Sequence, residues 1–230
     1  MSLTFHPRWA YEPPKMLHRV ILVKLLPEKY EADFLDGYIY FNTNAYFGII
    51  DHKDEVRFDP DDGIDESRQV SKVEIQDHTG NWLPLQVIGP ITTRSEVSAK
   101  QNVLCLFTIT DRAGDSFNEQ NLAFGERAVV IDNLQEFICR VKRATEQVSK
   151  KLSLGPIEYV EYATYDGPMG PFRKFTTHRY KNEFRLVLSN GTRDACRLSV
   201  GNLRDIAHAI DARDVPRYWQ GMLRLPRTDA

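Results

Sequence analysis

A glutamate and an arginine two residues apart, Glu183 and Arg185, are the best-placed pair of chemically active side chains in the sequence. They lie in the stretch Lys174–Ser199, KFTTHRYKNEFRLVLSNGTRDACRLS. Side chains alternate sides along a strand, so over residues 183–189 Phe184, Leu186 and Leu188, with Tyr180 before them, share an apolar face. Glu183 and Arg185 share the other. The pair offers one fixed negative and one fixed positive charge, and what it can do depends on what its face looks into. A simple surface ion pair, worth little to stability, fits the same residues. An aromatic and polar set accompanies the pair: Lys24 near the end of the first strand, then Tyr38, Tyr40 and Asn42, then Tyr46 and Phe47. Each also has an ordinary reading, as a solvated strand lysine or as tyrosines half-buried against a sheet.

Other chemistries lack their spacing. The six histidines and three cysteines show no CxxC, HxH or HExxH pattern, so a zinc site has little support. Neither GxGxxG nor GxxxxGK[ST] is present, which argues against a dinucleotide-binding Rossmann turn and a P-loop. There is no GxSxG, and Cys105 sits in an apolar strand where a thiol is inert filling. The acidic stretch around Pro60 and Gly63 invites comparison with a calcium loop. Its first position would be Phe58, however, so a solvated loop is the expectation.

The elements that must position the candidate residues are legible in outline. Leu17–Leu26 reads as a strand, Glu28–Asp36 as a short helix with Pro27 before it and Gly37 after it, and Tyr38–Phe41 as an aromatic strand. Val70–Gln76 and Trp82–Ile88 predict one hairpin. Asn190-Gly191 between the runs 183–189 and 195–200 predicts another. Asn102–Thr110 is apolar on both parities, as for a strand covered on both faces. Asn133–Lys151 is the strongest helix, capped by Asn133, with Leu134, Phe137, Ile138, Val141, Ala144 and Val148 in one stripe and a basic opposite side. A short helix is expected from Asn202, with Leu203, Ile206, Ala207 and Ile210 inward.

With 230 residues, a formal charge of −2 and 42% hydrophobic residues, the chain has the composition of an ordinary globular protein. That charge argues against nonspecific nucleic-acid binding. The apolar runs are too short to cross a bilayer, and the odd, scattered cysteines fit a reducing, cytoplasmic setting. The expected architecture is α+β: an irregular lead-in over residues 1–16, a single domain of antiparallel or mixed sheet with a few packed helices over 17–215, and a tail over 216–230. Trp219, Met222 and Leu223 in that tail either dock on the body or bind a protein partner.

Taken in order, VKLLPEKYEADFLDGYIYFN, VLCLFTI, FGERAVVIDNLQEFICRV, IEYVEY and FRKFTTHRYKNEFRLVL resemble a widespread family of uncharacterised bacterial and phage proteins. The shared features are the strand ending in Lys24, the step Leu35-Asp36-Gly37-Tyr38, Lys174 or Lys181, Tyr180, and Glu183-Phe184-Arg185. The chain has Asn42-Thr43-Asn44 where that family has an Asn-Asp-Pro step. A more distant similarity is to ADP-ribosyltransferases, which begin with a polar strand end, a short helix, a glycine and an aromatic strand. They end on a strand bearing a catalytic glutamate. The resemblance implies NAD as the cofactor and no metal. It also implies catalytic roles for Glu183, Tyr180 and Lys24, with Tyr38, Tyr40, Asn42 and Arg185 holding NAD. Glu183 would then stabilise positive charge developing on the ribose as nicotinamide leaves. Two functions of different class follow: a toxin or antiphage effector modifying a protein or nucleic-acid acceptor, or a non-enzymatic assembly protein of mobile-element origin.

Overall fold

The computed structural model describes residues 4–5, 19–47, 58–111 and 116–224. Most of the lead-in, including Trp9 and Tyr11, lies outside the described residues, as do residues 48–57 of the acidic stretch and Leu225 onward. The rest is a single α+β domain.

Strand β1 (Val20–Leu26) leads through Pro27 and a 3-10 turn into helix α1 (Glu31–Leu35), which buries Phe34 and Leu35. Gly37 then reverses the chain at φ +90, and a Cβ there would lie 1.9 Å from the carbonyl oxygen of Gly201. Only glycine fits that turn. In β2 (Tyr38–Thr43), Ile39, Phe41 and Thr43 are buried, while Tyr38 and Tyr40 point outward. Strands β3 (Asn102–Thr110) and β4 (Arg127–Ile131) precede helix α2 (Leu134–Gln147). Asn133 caps that helix by accepting the Glu136 amide at 3.0 Å. Strands β5 (Lys151–Pro156), β6 (Glu183–Ser189), β7 (Cys196–Ser199) and β8 (Ala207–Asp211) follow, and helix α3 (Val215–Arg224) closes the described chain.

The main sheet runs in the order β5-β6-β3-β1-β4-β8, with Thr4–Phe5 parallel to β5 at its outer edge. Period-two alternation gives each face its own core. Leu22, Leu104, Leu106, Leu186 and Leu188 meet Phe137 and Val141 of α2 on one face. Ile21, Val23, Phe107, Ile109 and Val130 meet Trp219 of α3 on the other.

Several expectations change. Asn190 takes a left-handed backbone (φ 62) but Gly191 does not, and the expected hairpin does not form. Both edges of β6 are already occupied, by β5 and β3, so β7 pairs with β2 instead. The expected helix after Asn202 is the strand β8, paired along β4, and the end of the expected helix 133–151 is the start of β5. Tyr180 precedes β6 in a 3-10 turn (Thr176–Lys181) and shares no strand face with Phe184. The tail as far as Arg224 is part of the fold: Trp219 is buried, Met222 packs beside it, and Arg19 donates to the Met222 carbonyl. Burying an indole of this size stabilises by roughly 2–3 kcal/mol. Trp219 is therefore unavailable to a partner, whereas Leu223 stays exposed. The hairpin of Val73–Gln76 with Trp82–Leu85 forms as expected.

Candidate functional site

One edge of β3 serves two strands. Its C-terminal half, Phe107–Thr110, pairs with Val20–Val23 of β1, and its N-terminal end, Asn102–Val103, pairs with Asn42–Thr43 of β2. Between them Leu104–Leu106 faces neither strand, so the sheet forks there. A cavity of about 800 Å³ occupies the fork. Lys24 bridges its base, donating at 3.0 Å to the Cys105 carbonyl in the unpaired stretch.

The cavity brings together Glu183, Lys24, Tyr38, Tyr40 and Asn42. Parity explains the last three, because the burial of Ile39, Phe41 and Thr43 turns the alternate residues of β2 toward the fork. Tyr30, Tyr46 and Arg197 line the same side, with the Arg197 guanidinium 4.3 Å from the Tyr38 ring centre. Two expected residues lie elsewhere. Arg185 is fully buried behind Glu183 and lines no part of the cavity. Tyr180 also falls outside the lining; its carbonyl accepts from the Asn121 side chain at 2.8 Å.

Under the cavity floor Glu183 and Arg185 belong to a buried cluster rather than a surface pair. Lys174 Nζ lies 2.8 Å from Glu183 Oε1, 3.0 Å from Asp59 Oδ2 and 3.1 Å from Asp62 Oδ2. Arg185 grips both Asp62 oxygens at 2.8 Å and donates through Nε to Glu183 Oε2 at 2.9 Å. His178 Nε2 sits 3.3 Å from Asp59 Oδ1. Two cations thus face three carboxylates, all buried. The Asp59–Asp62 contacts correct the expectation of a solvated loop: Arg94 holds the Pro60 and Asp62 carbonyls, and Asn44 packs under Gly63.

The cluster fixes its own ionisation. Burial alone would raise Asp62, but Arg185 and Lys174 outweigh it and hold it at about 2. Asp59 is likewise lowered to about 2, burial being overcome by Lys174 and His178. Glu183 is drawn below the ordinary carboxylate range against its burial by Lys174 and Arg185. Lys174 and Arg185 rise correspondingly, because their acidic neighbours outweigh desolvation. Burial and the Glu183 charge push the Cys105 thiol up to about 11, which leaves it unreactive.

Local structure aims these groups. The 3-10 turn over Thr176–Lys181 ends at Asn182, whose left-handed backbone (φ 39) is held by its side chain donating to the Thr108 carbonyl at 2.6 Å. That reversal puts Lys181 and Glu183, on either side of it, against the same cavity. The Glu183 amide donates to the Tyr159 hydroxyl at 3.0 Å. Sequence reasoning missed the roles of Asp59, Asp62 and His178, and left Lys174 and Lys181 interchangeable. The acidic cluster was visible, but its partners lie more than a hundred residues away. Among the described residues, no group of three or more His, Cys, Asp or Glu is placed to hold a metal ion, and no helix is long and apolar enough to cross a membrane. Comparison of the chain with protein-family models, curated proteins and solved structures finds no match.

Proposed function

We propose that the fork is a nucleotide site and that the chain is an NAD-dependent ADP-ribosyltransferase acting on a macromolecule. The observation that carries this reading is Glu183, a carboxylate held by Lys174 and Arg185 in the floor of a cavity walled by tyrosines. The cavity volume of about 800 Å³ lies within the usual range for small-molecule sites. Tyr38 and Tyr40 offer ring faces to a base or nicotinamide. NAD, when bound, supplies an ADP-ribosyl group on a cationic leaving group.

Glu183 stays ionised at neutral pH, so it serves as a hydrogen-bond acceptor for a ribose hydroxyl and as a fixed negative charge, not as an acid or base. Lys174 and Arg185 each take one site on its two oxygens, which leaves acceptor capacity toward the cavity. Because those two cations lock the carboxylate in place, it needs no reorganisation as positive charge develops beside it. Tyr40, 57% exposed, leaves the mouth open to a large acceptor, either protein or nucleic acid. An effector directed against a cytoplasmic host macromolecule is the setting this supports.

NAD is expected to raise the melting temperature, since a ligand at a hundred times its dissociation constant stabilises by about 2.7 kcal/mol. Glu183→Gln keeps the side-chain shape but turns an amide N–H2 toward Lys174 or Arg185, so it loses some stability and its folding is checked by circular dichroism. It is expected to release no nicotinamide, and NAD turnover at the wild-type rate by that variant would remove the mechanism.

A further inference from the structure

The cavity-lining cations differ in what already holds them. Lys24 donates to the Cys105 carbonyl, Lys174 is shared among three carboxylates, and Arg197 lies over Tyr38 and 3.5 Å from Asp33. Lys29 is exposed, over the Tyr30 ring. Lys181 is different. It is only 4% exposed and lines the cavity, and among the described residues no hydrogen-bond acceptor or carboxylate pairs with its ammonium. Its ammonium lies 5.9 Å from the ring centre of Tyr180 and 6.0 Å from that of Phe124, the outer limit of cation–π attraction.

A buried ammonium with no direct hydrogen-bond or ion-pair partner is a cost to the fold. Burial and the Lys174 charge lower its proton affinity and outweigh Glu183, Asp59 and Asp62, which act on it in the opposite sense without pairing with it. Charges of this kind are retained where a ligand completes them. Asn182 fixes the backbone turn that carries Lys181 to the cavity.

We infer that Lys181 is the anion-receiving residue of the fork and binds a phosphate group of a nucleotide ligand. The assignment rests on and deepens the nucleotide reading above, and it falls to Lys181 because Lys24 and Arg185 are already engaged inside the protein. It places the phosphate on the wall formed by Phe124, Asn121 and Lys181, while Tyr38 and Tyr40 lie across the fork for the base.

Titration calorimetry with ADP and with adenosine, on wild type and Lys181→Met, tests it. The methionine keeps the apolar stem and removes the charge. ADP affinity is expected to fall by about 10- to 100-fold, as for loss of one charge-assisted hydrogen bond, while adenosine binding is unchanged. The unliganded variant should melt no lower than wild type, because an unpaired buried charge has been removed. Equal ADP affinity in the two proteins, equal loss of adenosine and ADP, or a lower unliganded melting temperature would each overturn the assignment. So would absence of ADP binding to wild type at millimolar concentration. ADP binding that depends on Lys181, without any NAD turnover, would sink the transferase reading and leave this one standing.

Discussion

The floor and the rim of the fork use charged and aromatic residues in opposite ways. On the floor Lys174, Arg185, Glu183, Asp59 and Asp62 are buried, and each charge is satisfied by another within the cluster. On the rim Tyr30, Tyr38, Tyr40 and Tyr46 remain 43–57% exposed, and Arg197 and Lys29 lie out in solvent. The floor is therefore a positioning device, whose members are spent on one another and present Glu183 in one orientation. The rim is unspent surface. Removing a member of the floor leaves a buried charge alone, whereas removing a rim tyrosine removes little that the fold uses.

The largest effect should follow Arg185→Met, which strands Asp62 and Glu183 without their guanidinium. Breaking a buried ion pair from one side costs about 3–5 kcal/mol, measurable as a reduced midpoint in urea. A loss below about 1 kcal/mol, the value for exposed pairs, would show that the floor is not a dry cluster.

An acid titration comes next. Asp59 and Asp62 titrate at about 2 in the folded chain, against about 3.9 in an unfolded one. Their folded values are depressed, so their stabilisation is complete above about pH 4 and is lost as pH falls toward 2. Asp62→Asn should lose stability at neutral pH and flatten the acid limb of a stability–pH curve. An unchanged acid limb would detach the floor from the pH response.

The smallest effect on the fold is expected at Tyr40→Ala, where an exposed substitution changes stability by no more than about 0.5 kcal/mol. On the nucleotide reading proposed above its effect on ADP binding should be larger, since loss of one base–aromatic stack weakens binding by about 1–3 kcal/mol. Should Tyr40→Ala destabilise as much as Arg185→Met, the contrast between rim and floor would be lost.

Much of the frame could be read from local pattern. The strands at 20–26, 102–110 and 183–189 and the capped helix at 134 follow from periodicity and capping within a few residues. The Glu183/Arg185 face and the outward set Tyr38, Tyr40 and Asn42 follow from strand parity alone. Pairing was the part that could not be read, because it is set by competition for edges. Asn190-Gly191 carries a strong hairpin signal, yet β6 has no free edge to give β7. Ala207–Ile210 shows a spacing that suits a helix, but the free edge of β4 draws it into a strand. The floor was hidden for a related reason. Asp59 and Asp62 look like ordinary loop acids until tertiary folding brings Lys174 and Arg185 against them.

The bond between Arg185 and Asp62 spans 123 residues. During synthesis both aspartates leave the ribosome long before the cations that will neutralise them, and such distant contacts close late. A nascent or truncated chain ending before Lys174 carries the tyrosine wall and both aspartates but lacks Glu183 and the two cations of the floor. The order of synthesis thus makes the presentation of Glu183 one of the last features of the fork to be completed.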